Sequence, residues 1–125
     1  MDNRRRKRDE GGTELACDLT ALSPQGRERV LALSEELMSQ ADELRALPDG
    51  YEIGYKAAST ERLSQLAEFI ALDSVCCPFL KHGIFLEPHE HGVWLHLSGP
   101  EGVKDGLEAD ILKLVSPDVA EGVRH

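Results

Sequence analysis

The sequence predicts a single α+β domain, a two-layer sandwich in which helices cover one face of a four-stranded sheet. Three observations lead to this prediction. Some segments repeat apolar residues every three or four positions, as amphipathic helices do, whereas others are short alternating or apolar runs, as strands are. The segments follow one another in the order β-α-β-α-β-β-α. A length of 125 residues suffices for one core but not for two ordinary domains.

A short strand and a long helix are predicted to open the domain. Leu15, Cys17 and Leu19 alternate with other residues, which is typical of a strand with Cys17 on its core side. Ser23 followed by Pro24 indicates a helix start, because serine caps the first turn and proline suits the first helical position. We predict this helix over residues 24–46. Its apolar positions are Val30, Leu33, Leu37, Ala41 and Leu44.

A turn, a strand and a second helix come next. Residues 48–50 (Pro-Asp-Gly) indicate the turn, and the alternation over residues 51–55 predicts a half-buried strand. Ser59 or Thr60 can cap the second helix. Its apolar positions are Leu63, Leu66, Ala67, Phe69, Ile70, Ala71 and Leu72.

The end of the second helix is predicted from a proline. Pro78 disfavours helical geometry at the residue before it, Cys77. We therefore expect the helix to end at or near Cys76, so that both cysteines lie on its last turn or just beyond it.

A hairpin and a third helix complete the predicted order. The apolar runs 84–86 and 93–97, separated by a polar loop, are typical of two antiparallel strands. Residues 99–102 (Gly-Pro-Glu-Gly) form a turn before a last helix, which should stop before Pro117. Its apolar positions are Val103, Leu107, Ile111 and Leu114.

The two ends of the chain are predicted to be flexible. Residues 1–13 contain a basic run from Arg4 to Arg8 and no hydrophobic period, so we expect a flexible charged leader. The domain is predicted to span residues 14–117, followed by a flexible tail over 118–125.

Composition restricts the function classes. No apolar run is long enough to cross a bilayer, and no signal-peptide core follows the N-terminal charges, so we expect a cytoplasmic protein without a membrane partner. The net charge of −9 makes nucleic acid an unexpected partner. Three cysteines are an odd number, and a reducing cytosol makes a disulfide scaffold improbable, which favours metal or thiol chemistry.

Cys17, Cys76 and Cys77 are the candidate metal ligands. Thiolate sulfur selects soft ions, here Hg(II), Zn(II), Cu(I), Cd(II) or arsenite. The negative end of a helix dipole disfavours a bare thiolate but favours a bound cation, so a metal site is preferred to a redox nucleophile. Cys17 has an alternative interpretation as a core residue, because free cysteine is often buried.

Asp73 and four histidines are secondary candidates. Asp73 precedes the cysteine pair by three and four residues and can share their helix face, either as a ligand, proton donor or supporting group, or as an ordinary solvated acid. The histidines fall in or near the predicted hairpin, where solvated side chains are expected, although His82 or His96 could lie near the thiols. The four are His82, His89, His91 and His96.

Three segments resemble a family of small uncharacterised bacterial proteins. They are the Cys-Asp-Leu run at 17–19, the Cys-Cys-Pro-Phe run at 76–79 and the Gly-Pro-Glu-Gly run at 99–102. The resemblance extends over most of residues 15–115. It implies a role in heavy-metal handling but supplies no mechanism.

Three hypotheses follow. The leading one is a metal-sensing, buffering or detoxifying protein that holds a thiophilic ion through its cysteines, and it is preferred to an enzyme. A second is an enzyme that uses the same cysteines with Asp73, in redox chemistry or in cleaving a carbon–metal bond. A third is an interaction domain with structural cysteines, forming a homodimer or binding a protein partner.

Overall fold

A computed structural model describes residues 17–123 of the chain. A 3₁₀ turn (Leu19–Ala21) precedes four helices and four strands. The helices are α1 (Pro24–Ser39), α2 (Thr60–Cys76), α3 (Val103–Leu114) and α4 (Pro117–Glu121). The strands are β1 (Glu43–Leu47), β2 (Gly50–Tyr55), β3 (Lys81–Leu86) and β4 (Val93–Ser98). Within these residues no helix is long and apolar enough to cross a membrane.

The four strands form one antiparallel sheet in the order β1-β2-β4-β3. A row of apolar side chains crosses all four strands on the face that packs against the helices. Tyr55 lies on this face, where its hydroxyl donates to the carbonyl of Leu37 in α1 at 2.7 Å. The predicted α+β class and four-stranded sheet are confirmed. The row consists of Leu44, Ile53, Leu95 and Ile84.

The first helix is shorter than predicted, because its expected last turns belong to the sheet. α1 ends at Ser39, and Glu43–Leu47 forms edge strand β1. The residue types of β1 favour helices. In the strand, however, Leu44 is buried opposite Ile53, and the Arg45 guanidinium binds Glu52 across the strands at 3.0 Å. Tertiary pairing therefore outweighs local helix propensity here.

The predicted strand around Cys17 is not found in the part of it that the structure describes. Cys17 and Asp18 have no regular structure, and Asp18 caps the 3₁₀ turn by accepting a hydrogen bond from the backbone N–H of Thr20 at 3.0 Å. The backbone N–H of Asp18 donates to the carbonyl of Cys76 at 2.7 Å. A backbone hydrogen bond to the end of α2, rather than a strand ladder, thus helps to hold this segment in place.

The folded region extends beyond the predicted boundary at residue 117. Ser116 caps α4, and Val119 and Ala120 pack against the hydrophobic core, so residues 118–121 are helical rather than part of an unstructured tail. The predicted leader, residues 1–13, lies outside the described residues.

Candidate metal centre

Three potential ligands converge at the C-terminal end of α2. The helix ends at Cys76 and Cys77 caps it, donating its backbone N–H to the carbonyl of Asp73 at 2.7 Å, which confirms the helix end predicted from Pro78. The Oδ1 atom of Asp73 lies 3.6 Å from the Cys77 sulfur and 4.0 Å from the Cys76 sulfur. The two sulfurs are 3.8 Å apart. Asp73, Cys76 and Cys77 therefore form a group that could hold a metal ion.

Cys17 joins this group through a covalent bond. Its sulfur forms a disulfide with Cys77, whereas Cys76 is a free and buried thiol. The expectation that the chain lacks disulfides is thus wrong for this pair. The interpretation of Cys17 as core filling is also wrong, because the residue is exposed. All three cysteines meet in one place, as predicted, but two of them are paired with each other.

Asp73 is held by a histidine. Nε2 of His82, the second residue of strand β3, lies 2.8 Å from Oδ2 of Asp73. A carboxylate oxygen only accepts hydrogen bonds, so Nε2 carries the hydrogen in this pair. The side chains of His82 and Asp73 are only 6% and 15% exposed, respectively. The interpretation of Asp73 as a solvated helix acid therefore does not hold.

The surroundings of the free thiol disfavour its ionisation. Burial raises the pKa of Cys76, and the neighbouring Asp73 carboxylate raises this pKa further. The Cys76 side chain is 1% exposed and lies at the negative end of the helix dipole. An uncompensated thiolate is therefore disfavoured, whereas a bound cation would offset the nearby negative charge.

The centre is reached from the side of Cys17. A groove of about 380 Å³ contains Cys17 and is walled by Phe79, Leu80 and Leu107. A smaller cavity of about 90 Å³, lined mainly by apolar side chains, reaches Cys17, Cys77 and Asp73. A small reductant or an ion can therefore approach the disulfide and the carboxylate, while Cys76 lies behind them.

The other histidines do not join the centre. His89 and His91 are exposed in the β3–β4 loop, as predicted for solvated side chains. His96 contacts Glu52 at 3.3 Å and Ser98 at 2.8 Å, and its register places it on the sheet face opposite the helices. Of the four candidates, His82 alone lies in the centre.

Sequence reasoning missed the Asp73–His82 pair and the choice of disulfide partner. The sequence indicated only that His82, a few residues after Pro78, could lie near the thiols, and not that it would pair with Asp73. Its role depends on the turn over residues 78–80, which returns the chain beside α2 so that β3 begins next to Asp73. No spacing rule in the sequence specifies that return.

The fold and the centre define an α+β protein with a buried thiol–carboxylate cluster at a helix end. Comparison of the chain with protein-family models, curated proteins and solved structures finds no match. The resemblance to a bacterial family therefore stays a prediction, and function has to be inferred from the geometry of the centre.

The disulfide predicts a specific thiol count. Protein purified without reductant should contain one alkylatable thiol per chain, assigned to Cys76 by peptide mass spectrometry. Alkylation should be slow in the folded state and fast in urea, because this thiol is buried. After reduction the count should rise to three. Three free thiols before reduction, or a Cys76–Cys77 bond, would contradict the pairing.

Proposed function

We propose that this protein binds a thiophilic metal ion through Cys17, Cys76 and Cys77 when the Cys17–Cys77 disulfide is reduced. The main support is the approach of two sulfurs and a carboxylate oxygen at one buried point, all within 4.8 Å of one another, with the third sulfur attached to Cys77. Buried cysteines at a helix end that only filled the core would not need a paired carboxylate among them.

Reduction is a required step in this proposal. Two equivalents of a thiol reductant donate two electrons to the disulfide, giving the Cys17 and Cys77 thiols and the oxidised reductant. Binding of the ion then releases the thiol protons, because thiolates are the ligands. The oxidised form retains only Cys76 and Asp73 as unmodified donors. In the predicted cytoplasmic location the reduced, binding-competent form would be favoured.

The same cysteines give weaker support to a thiol-redox enzyme. Cys76 lies 3.8 Å from the disulfide sulfur of Cys77 and could in principle attack it. The attacking species in such exchange is the thiolate, however, and burial together with Asp73 raises the pKa of Cys76. The observed environment thus opposes this reaction at neutral pH, whereas it favours a bound cation.

The proposal is tested by comparing both redox states. Full-length protein is reduced with a phosphine, desalted without oxygen and titrated separately with Zn(II), Cd(II), Hg(II), Cu(I) and arsenite. Binding is followed by native mass spectrometry and by competition with a chelator. We expect one tight equivalent of at least one of these ions in the reduced protein, and affinity at least roughly a hundredfold lower after oxidation, because two thiolate ligands are lost.

Two results would count against metal binding. One is the absence of a tight equivalent for every ion tested, although the three thiols are shown to be free. The other is equal affinity in the reduced and oxidised states. A Ser74→Ala variant serves as the control, because Ser74 lies on the same turn of α2 but is exposed and hydrogen-bonds only the carbonyl of Ala71.

A further inference from the structure

We infer that the bound ion is a tetrahedral, borderline dication of the Zn(II) or Cd(II) class, with Asp73 as its fourth ligand and His82 as the residue that positions Asp73. This inference rests on the proposed function and names its ligand. A carboxylate ligand distinguishes Zn(II) and Cd(II) from the other thiophilic ions. Hg(II), Cu(I) and arsenite complete their coordination with two or three sulfurs and gain little affinity from a carboxylate.

The distances between the donor atoms agree with those around a tetrahedral ion. With metal–sulfur bonds near 2.3 Å and a metal–oxygen bond near 2.0 Å, tetrahedral angles place two sulfurs about 3.8 Å apart and a sulfur and an oxygen about 3.5 Å apart. The observed values are 3.8 Å between the sulfurs of Cys76 and Cys77, 4.0 Å from the Cys76 sulfur to Oδ1 of Asp73, and 3.6 Å from the Cys77 sulfur to the same oxygen. A linear two-sulfur ion with similar bonds would instead need sulfurs about 4.6 Å apart.

The orientation of the Asp73 carboxylate suits a metal ligand. Its two oxygens have different neighbours: Oδ2 lies against Nε2 of His82, and Oδ1 lies nearest to the sulfurs of Cys76 and Cys77. One oxygen is thus anchored while the other is presented to the ligand group. Metal-binding carboxylates are commonly oriented by such an outer hydrogen bond, and losing that bond typically lowers affinity by about 10- to 100-fold.

The remaining position of the tetrahedron, beside Cys76, Cys77 and Asp73, belongs to Cys17. Its sulfur already touches the group, since it is bonded to Cys77, and after reduction it must retreat to about 3.8 Å from the Cys77 sulfur. Cys17 is exposed and outside regular structure, so a rotation of its side chain and a small backbone shift can supply this movement. Three sulfurs and one oxygen then fill the coordination sphere of a zinc-like ion and leave no open site.

The decisive variant is Asp73→Asn, measured in reduced protein against Asp110→Asn. Asp110 borders the same cavity and carries the same charge, but it is exposed and does not belong to the ligand group. Asp73→Asn should weaken Zn(II) binding by about tenfold or more while changing Hg(II) affinity less than about threefold. Asp110→Asn should leave both unchanged.

Cobalt(II) provides a readout of geometry. We expect the reduced wild-type protein to bind one Co(II) with the strong visible absorption of a tetrahedral thiolate site, and Asp73→Asn to alter that spectrum. Replacing His82 with leucine should lower Zn(II) affinity about tenfold, whereas His82→Gln, which retains a donor, should restore most of it. Circular dichroism checks that every variant is folded.

The outcomes separate this inference from the proposed function. If reduced wild-type protein binds Hg(II) or arsenite tightly but not Zn(II) or Cd(II), or if Asp73→Asn binds Zn(II) as well as the wild type does, the tetrahedral assignment is overturned and the thiol site survives. If no ion binds the reduced wild-type protein, the proposed function itself fails.

Discussion

Replacing Cys77 with serine should abolish tight metal binding and destabilise the oxidised protein. Cys77 forms the disulfide with Cys17 and also belongs to the group of Asp73, Cys76 and Cys77, where its sulfur lies 3.8 Å from the Cys76 sulfur and 3.6 Å from Oδ1 of Asp73. Without its sulfur, affinity in the reduced state should fall by roughly a hundredfold or more. Loss of a cross-link between residues 60 positions apart should lower the free energy of unfolding by about 2–4 kcal/mol.

Cys17→Ser is the matched control for this prediction. It removes the same disulfide and should cost the same stability in urea unfolding of the oxidised proteins, but it leaves the group of Asp73, Cys76 and Cys77 intact. Chelator competition should therefore detect weakened rather than absent binding in reduced Cys17→Ser. Equal metal affinity in the two serine variants would contradict the central role of Cys77 in the site. Equal stability of the oxidised wild type and both variants would contradict the presence of the disulfide.

Leu95→Ala should be among the most destabilising single substitutions in the sheet. Leu95 is fully buried at the middle of β4, between Ile53 and Ile84 in the row that faces the helices. Truncating a buried leucine loses transfer free energy and leaves a cavity, which together cost about 2–5 kcal/mol, a large part of the stability of an ordinary domain.

Urea unfolding of reduced protein isolates this effect from the disulfide. Leu31→Ala makes the same chemical change on α1, where the side chain is 55% exposed, and should alter the free energy of unfolding by less than about 0.5 kcal/mol. A loss of under 1 kcal/mol for Leu95→Ala would mean that the sheet does not form the centre of the core.

Several predictions from local patterns were confirmed because the pattern and the tertiary structure agreed. Ser23 and Ser59 cap α1 and α2 as predicted, and α2 ends at Cys76 because Pro78 excludes helical geometry at the residue before it. The hairpin of β3 and β4 likewise follows from two apolar runs and a polar loop. In the helices the deciding interactions lie within a few residues along the chain, and in the hairpin they join two strands that are adjacent in the sequence.

The errors arose where distant segments decide the structure. Residues 43–47 have helix-forming side chains, but pairing with β2 makes them a strand. Cys17 alternates with leucines as a strand residue would, yet its segment is fixed to the end of α2 by a hydrogen bond from Asp18 and by the disulfide with Cys77. These interactions join parts of the chain whose relative position no short-range pattern specifies.

For the candidate centre, the sequence by itself determined that Asp73, Cys76 and Cys77 share one end of a helix, because helical spacing and a proline stop act locally. Only the tertiary structure decided that Cys17 pairs with Cys77 and that His82 holds one oxygen of Asp73 while the other faces the sulfurs. Cys17 and His82 reach the helix end through separate chain paths, whose placement depends on the packing of the whole domain.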